Sequence, residues 1–108
     1  MKKHVVVSAA AERDIESAAA WYEARREGLG QEFYDKVLEA IGKIEANPEG
    51  FAKVFRDARK VYLRKFTAIA LWYKIMPDES LVIACLSSKR DPKLALERAS
   101  GIIPFPEP

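Results

Sequence analysis

Basic side chains crowd into one short stretch of this chain, and their chemistry is the first clue to what the protein binds. Between positions 53 and 65 there are six of them and a single acid, Asp57, which gives the stretch a net charge of +5. Guanidinium and ammonium groups bind phosphates and carboxylates through charge-assisted hydrogen bonds. The stretch therefore predicts a surface for a phosphate or for an acidic partner. Its cations are Lys53, Arg56, Arg59, Lys60, Arg64 and Lys65.

The segment that precedes these cations carries the opposite charge. Residues 12–49 contain ten acids against five bases, a net charge of −5, whereas the whole chain carries only +2. Such asymmetry bears more directly on binding partners than the overall charge does. A plainer interpretation is that the cations only form the solvent-exposed face of a strand, or that their charge protects a sheet edge from pairing with another chain. The sequence leaves both interpretations open.

The basic stretch must be positioned by β-strands. Its alternating pattern predicts a strand at 53–57 together with one at 59–65. Two largely apolar runs, at 67–75 and 80–88, predict buried strands joined by a turn at 76–79. In the predicted strand at 53–57, successive side chains would point to opposite faces of the sheet. Lys53, Phe55 and Asp57 would lie on one face, and Val54 and Arg56 on the other.

Two helices are expected before these strands. A short β-branched strand at 4–7 leads to Ser8, a favourable helix N-cap, and the helix that follows ends before the Gly28-Leu29-Gly30 turn. A second helix is predicted at 31–46 and ends at Asn47-Pro48. The expected buried stripes are Ala11, Ile15, Ala18, Ala19 and Tyr22 in the first helix, and Phe33, Val37, Ile41 and Ile44, broadened by Leu38 and Ala40, in the second.

The order of these elements predicts a single α+β domain over residues 1–108. A helix hairpin cannot bury two apolar stripes within itself, so it should pack on the sheet. We expect an N-terminal strand and a mainly antiparallel sheet of three to four strands. A short helix at 93–98 and a proline-rich tail at 99–108 should complete the chain.

Composition excludes several classes of site. One cysteine, Cys85, allows neither an intramolecular disulfide nor a cysteine metal cluster, and we expect no metal and no cofactor. The apolar start of the chain is too short for a signal peptide, and no run reaches the roughly 20 residues of a membrane helix. The expected setting is the cytoplasm. Cys85 should be a small buried core residue. Trp72 and Tyr73, which end an apolar run, should also be core residues.

Short motifs follow one another in a fixed order along the chain. They are Ala11, Asp14 and Ile15; Trp21, Tyr22 and Glu23; Gly28, Leu29 and Gly30 ahead of Phe33; Asn47 and Pro48 with Phe51; Arg59 ahead of Phe66; Trp72 to Ile75; and Lys89, Arg90, Asp91 and Pro92 ahead of Arg98. In this order and spacing the sequence resembles the RelE/ParE superfamily of toxins from type II toxin–antitoxin systems, often labelled plasmid stabilization proteins. The resemblance runs from about residue 5 to residue 98.

The resemblance implies one of two activities, cleavage of messenger RNA on the ribosome or inhibition of DNA gyrase by binding. Cleavage through a 2′-hydroxyl needs a base, an acid and cations for the phosphorane charge. Many relatives place a histidine where this chain has Ser87 and Ser88, and the only histidine here is His4. Many also have Pro-Tyr where this chain has Thr67-Ala68. The catalytic set of a nuclease would be Arg59, Arg64, Arg90, Lys60 and Tyr73.

The long helix hairpin and the missing histidine favour a ParE-like toxin, which inhibits gyrase by binding to it and catalyses no reaction. The implied partners are a cognate antitoxin and DNA gyrase, with operator DNA reached only through the antitoxin and no membrane contact. The expected contact residues are Lys53, Arg56, Arg59, Arg64, Trp21, Lys89, Arg90, Ile103 and Phe105. The alternatives are a RelE-like endoribonuclease, with the ribosome and mRNA as partners, and a non-toxic relative that only binds its antitoxin.

The end of the chain carries a separate hypothesis. Ile102, Ile103 and Phe105 are apolar but lie among prolines, which exclude a helix. Leaving such side chains in water is unfavourable. We therefore expect them either to lie on the domain's own surface or to join the antitoxin interface.

Overall fold

The computed structural model of the chain describes residues 4–88. The described elements are β1 (His4–Val7), α1 (Ala9–Arg25), α2 (Leu29–Ala46), a short 3-10 helix (Pro48–Gly50), β2 (Lys53–Phe55), β3 (Ala58–Leu63), β4 (Phe66–Ile75) and β5 (Glu79–Ser87). They form one five-stranded sheet in the order β1-β5-β4-β3-β2. Only β1 and β5 pair in parallel; every other pairing is antiparallel. The α+β prediction is confirmed, with more strands in the sheet than the three to four expected.

Both helices pack on one face of this sheet, which we call the helix face. The main core joins α1 and α2 to side chains from β3, β4 and β5, and the helical stripes supply about half of its buried residues. Leu38 is the exception, because 66% of its surface is exposed and it does not broaden the α2 stripe. The sheet contributes Val61, Leu63, Phe66, Leu71, Tyr73, Val82 and Cys85 to the core.

The opposite side of the sheet, the second face, holds a smaller apolar cluster. It consists of Trp72, Ile83 and Ala84, with Leu81 and Leu86 packed against them. Trp72 pairs across the strands with Lys60 on one side and Ala84 on the other. Trp72 and Tyr73 therefore point to opposite faces, and both are buried as predicted, at 1% and 0% exposure.

Glycines shape the junction between the helices. Gly28 has φ +90°, the left-handed conformation that a side chain would strain, and a Cβ on Gly30 would lie 2.9 Å from the Ala19 carbonyl oxygen. The Glu23 carboxylate accepts hydrogen bonds from the Gly28 and Gly30 N–H groups. α2 thus starts at Leu29, two residues earlier than predicted, with its first amides satisfied by α1.

Two tight turns interrupt the basic stretch. Arg56 and Asp57 form the turn between β2 and β3, where Arg56 has φ 52°. The predicted division of residues 53–57 between two strand faces is therefore wrong for these two side chains. The second strand also ends sooner than expected, because Arg64 and Lys65 form the next turn and Lys65 has φ 76°.

Asp14 completes the pairing of β5 where β1 stops. The last residue of β1 pairs with Val82, and the Ser8 N–H then donates to the Val82 carbonyl oxygen. Further along β5, the Cys85 N–H donates to the Asp14 carboxylate at 3.0 Å. Burial, reinforced by that carboxylate, raises the pKa of the Cys85 thiol to about 12. Cys85 is thus the inert core residue that the sequence predicted.

Candidate interaction surface

Arg59 and Tyr73 fasten the loop between α2 and β2 to the sheet. The Arg59 guanidinium donates to the carbonyl oxygens of Phe51, at 2.5 Å, and of Glu49, at 3.4 Å. The Tyr73 hydroxyl donates to the Pro48 carbonyl oxygen at 2.5 Å. Burial raises the pKa of Tyr73, so the hydroxyl is a poor proton donor to a substrate. These contacts give both side chains a structural task in the domain itself.

Arg64 and Lys65 are neutralised by the helix hairpin. Arg64 makes a two-pronged contact with Glu39 of α2, with nitrogen–oxygen distances of 2.8 and 3.0 Å. Lys65 pairs with Glu32, which also binds Arg26. The opposite charges of the two segments therefore meet inside the domain. Arg59 and Arg64 are both in the predicted contact set and in the predicted catalytic set of a nuclease. They lie at opposite ends of β3, because Arg59 is its second residue and Arg64 follows its last residue.

The hydrogen bonds from Arg64 are the main reason that the pKa of Glu39 falls to about 2. Those from Lys65 and then Arg26 lower the pKa of Glu32. Hydrogen bonds from the backbone N–H groups of Gly28 and then Gly30 lower the pKa of Glu23. All three carboxylates therefore stay charged throughout the neutral range.

Two exposed cations of the predicted surface, Lys53 and Arg56, are not engaged by the helix hairpin. Neither has an ion pair within residues 4–88, and the Arg56 guanidinium lies 5.3 Å from the centre of the Phe55 ring. Val54 between them is 41% exposed. The nearest acid in sequence, Asp57, lies 3.8 Å from Lys74. β2 is an edge strand, so these groups form a positive, partly apolar border of the sheet.

Lys60 lies on the second face between two aromatic rings. Its ammonium nitrogen is 5.1 Å from the centre of the Tyr62 ring and 5.0 Å from that of Trp72, within range of cation–π attraction. It also donates to the Ser88 carbonyl oxygen at 3.0 Å. Tyr62 is 53% exposed and was not selected from the sequence. Strand alternation could have identified Tyr62, because it points Tyr62 outward when its neighbours Val61 and Leu63 point into the core.

Trp21 projects from the helix hairpin, far along the chain from these cations. It is 53% exposed, and Arg25 stacks on its ring at 3.7 Å. Its neighbour Tyr22 turns inward and packs on Phe33 and Phe66. Tyr22 thus belongs to the core-facing stripe of α1 as predicted, and Trp21 faces away from the core. An exposed tryptophan stiffened by an arginine is a suitable anchor for a protein partner.

A shallow groove between α1 and α2 is a further surface that the sequence did not suggest. It has a volume of about 340 Å³ and lies beside the α2 N-terminus. Tyr34 borders it and is 38% exposed, and Leu38 one turn later is 66% exposed. The residues lining the groove are Glu16, Ala19, Ala20, Glu23, Gly30, Gln31 and Tyr34.

The described residues offer little for acid–base chemistry. His4 is an exposed residue at the start of β1, and Arg59, Arg64 and Tyr73 have structural partners. Within residues 4–88, no group of three histidine, cysteine or acidic side chains is placed to hold a metal ion. The predicted site residues Lys89, Arg90, Ile103 and Phe105 lie outside the described range, as do the predicted helix and tail. Of the helices described, none is long and apolar enough to cross a bilayer.

Solved structures that share this fold include one from a toxin–antitoxin system and one of a toxin. One is a chain of the chromosomal ParDE TA system from P. aeruginosa, with a TM-score of 0.65 and 9% identity, and the alignment covers 80% of this chain and 96% of that one. Another is a double mutant of the E. coli toxin RelE in the free state, with a TM-score of 0.56, 13% identity and coverage of 96% and 100%. No protein-family model matches the chain, and comparison with curated protein sequences gives no match. The chain therefore has a RelE/ParE-like fold.

Proposed function

We propose that this protein is the toxin of a type II toxin–antitoxin pair, neutralised by tight binding of a cognate antitoxin. The observation that carries the proposal is the fold, which aligns with nearly the whole length of a ParDE-system chain and of the RelE toxin. The ordered sequence motifs point the same way, and the structure gives several of them a reason. Glu23, Gly28 and Gly30 build the helix junction, and Asp14 completes the pairing of β5.

The finer proposal is a ParE-like toxin that inhibits DNA gyrase by binding. It is supported by the way the described residues use their cations. Arg59 and Arg64 are engaged within the domain, so each would have to give up these contacts to bind a phosphate in a catalytic role. The exposed groups Lys53, Arg56 and Trp21 suit a binding surface, where a few anchors contribute most of the affinity. Lys89, Arg90, Ile103 and Phe105 stay predicted contacts of that surface.

A RelE-like endoribonuclease is the second candidate, and Lys60 favours it. A cation beside an exposed tyrosine on a sheet face can hold a phosphate while the ring stacks on a base. In that case Arg90 would join Lys60 as a catalytic candidate. The third candidate is a non-toxic relative whose only partner is its antitoxin.

Controlled expression in a bacterium, with and without the neighbouring gene, separates the three. We expect growth arrest with DNA breaks and no codon-linked RNA cuts, and relief of the arrest by the neighbouring gene. Transcript ends mapped within translated messages would replace the gyrase proposal with the nuclease. Healthy cells with intact DNA and RNA, together with a stable complex with the neighbouring product, would leave only the antitoxin-binding relative.

Charge reversal tests the sheet border as the binding surface. Lys53→Glu and Arg56→Glu should each weaken gyrase inhibition in a graded way, and together by more than tenfold, because binding energy is spread over several contacts. Arg13→Glu, an equally exposed change on α1, is the matched control and should keep full potency. Equal potency of the double variant and the control would remove Lys53 and Arg56 from the interface.

A further inference from the structure

The second helix carries two rows of side chains outside its core stripe, and the domain uses one of them for ion pairs. The charged row occupies one flank of α2 through three- and four-residue spacing and consists of Glu32, Lys36, Glu39 and Lys43. It meets the turn between β3 and β4, whose two cations pair with it. Within residues 4–88, the ion pairs of α2 all lie on this flank.

The other flank of α2 borders α1 and holds apolar side chains in water. Tyr34 lines the groove between the two helices, and Leu38 lies one turn further along on the same side. Both are exposed. Ala19, Ala20 and Gly30 line the groove beside them, and such small residues let another helix approach closely. The groove thus offers apolar contacts that the domain itself does not use.

The rim of this groove is acidic. Glu16 and Glu23 line it, and Glu12 lies one turn before Glu16 on the same side of α1. On α2, Glu45 lies two turns beyond Leu38. Glu12, Glu16 and Glu45 have no ion pair within residues 4–88. Their negative charge is therefore free to attract a cationic partner.

Charge and shape together select the class of partner. An acidic rim repels nucleic acids and anionic membrane surfaces, because both are negatively charged. A small molecule would stay largely in water in so shallow a groove, whereas small-molecule sites bury most of their ligand. A helix from another protein satisfies both conditions, because it can lay an apolar stripe along the groove and present cations to the rim.

We propose that the groove between α1 and α2 binds a basic amphipathic helix of a protein partner. Tyr34 and Leu38 supply the apolar contacts, and the acidic rim selects a cationic sequence. From Gly30 to Leu38 the groove runs for about 12 Å, which matches roughly two turns of the bound helix. The inference goes beyond the proposed function, because none of the predicted contact residues within 4–88 lines this groove.

A synthetic peptide tests the groove without knowledge of the natural partner. The probe is a fluorescein-labelled helix of about 15 residues, with leucines at i, i+3, i+4 and i+7 and lysines on both flanks of that stripe. Fluorescence anisotropy with the full-length protein should show saturable binding that weakens as salt is added. A control peptide with the same leucines and with glutamates in place of the lysines should bind about tenfold more weakly.

Paired variants then locate the contacts, and all four positions are exposed, so the domain should stay folded. Leu38→Ser should weaken binding of the lysine peptide by about tenfold, because it removes an apolar anchor. Val54→Ser, which changes an exposed apolar residue on β2, is the matched control and should leave the affinity unchanged. Glu16→Gln should weaken binding by about threefold at low salt, whereas Glu49→Gln, on the 3-10 helix, should not.

Amide NMR signals map the site with no substitution at all. Titration of the lysine peptide into isotope-labelled protein should shift the signals of Ala20, Gly30, Tyr34 and Leu38 most. Equal binding of the two peptides, equal affinity of Leu38→Ser and Val54→Ser, or shifts confined to the sheet would overturn the inference.

Other occupants of the groove give different results, none of which depends on toxicity. Self-association of the free protein that Leu38→Ser abolishes would assign the groove to a second copy of the chain. Signals of residues 89–108 that shift in free Leu38→Ser would assign it to the chain itself. Either result would replace the partner helix as the occupant.

Discussion

At the scale of single residues, side chains that look functional in the sequence act as fasteners in the structure. Arg59 and Tyr73 reach carbonyl oxygens of the 47–52 loop and tie it to the sheet. Every residue carries a carbonyl oxygen, so such contacts leave no signature in the sequence. This is why the burial of Tyr73 was predictable and its hydrogen bond was not.

Tyr73→Phe should destabilise the domain by about 1–2 kcal/mol, because the Pro48 carbonyl oxygen loses its donor in a partly buried place. Urea unfolding monitored by fluorescence measures the change. Tyr62→Phe is the matched control, since Tyr62 is 53% exposed, and it should leave the free energy of unfolding unchanged. Unaltered stability with lost toxicity in Tyr73→Phe would return the hydroxyl to the list of catalytic groups.

Ser80 gives a prediction of the opposite sign. Its side chain is fully buried in β5, and its hydroxyl has no hydrogen-bond partner among the described residues. An unpaired buried hydroxyl costs about 1–3 kcal/mol. Ser80→Ala should therefore keep or raise the free energy of unfolding, by up to about 2 kcal/mol. A clear loss of stability in the same urea titration would mean that the hydroxyl has a partner after all.

At the scale of elements, the helix junction shows how one glycine can be required and another dispensable. A Cβ on Gly30 would lie 2.9 Å from the Ala19 carbonyl oxygen, whereas nothing lies within 4 Å of a Cβ on Gly42, in the same helix. Gly30→Ala should destabilise the domain by about 1–3 kcal/mol through this overlap. Gly42→Ala should stabilise it by about 0.5–1 kcal/mol, because alanine favours an exposed helix interior.

The two glycine variants control each other, because both introduce the same methyl group into α2. Thermal unfolding of the two proteins should shift the melting temperature in opposite directions. Shifts of the same sign would show that helix propensity, rather than the approach of Ala19, decides the effect at the junction.

The helices, strands and turns also show which features the sequence pattern predicts and which it does not. Apolar periodicity placed the helices and the buried strands, since burial of one face dictates the pattern. It placed Leu38 in the core wrongly, because an apolar residue one position off the stripe can equally face water. The turns at Arg56 and Lys65 were read as strand because neither is glycine or asparagine, the usual residues at positive φ.

At the scale of the whole molecule, the acidic hairpin and the basic stretch partly neutralise each other across the domain. Lowered carboxylate pKa values stabilise the folded state above the ordinary pKa of 4.5, and that stabilisation disappears as the pH falls toward 2. Stability should therefore decline between pH 4.5 and pH 2. The Glu39–Arg64 pair contributes to this decline because its carboxylate has the pKa of about 2.

Glu39→Gln should flatten the decline, since the glutamine has no proton to take up. Glu45→Gln on the same helix is the matched control, because Glu45 has no ion pair within the described residues. Denaturant midpoints measured at several pH values give both slopes. Identical slopes for the two variants would exclude the Glu39 pair as a source of the acid sensitivity, and added salt should narrow any difference because these charges are exposed.

The parallel pairing of β1 with β5 has a consequence for synthesis of the protein. His4 pairs with Glu79, so the first strand is matched by the last, 75 positions further along. During translation β1 and the helix hairpin emerge with no strand to pair with, and such long-range contacts form late. The sheet can take up β1 only after β5 has been synthesised. A nascent chain that stops before β5 lacks the strand that joins β1 to the rest of the sheet.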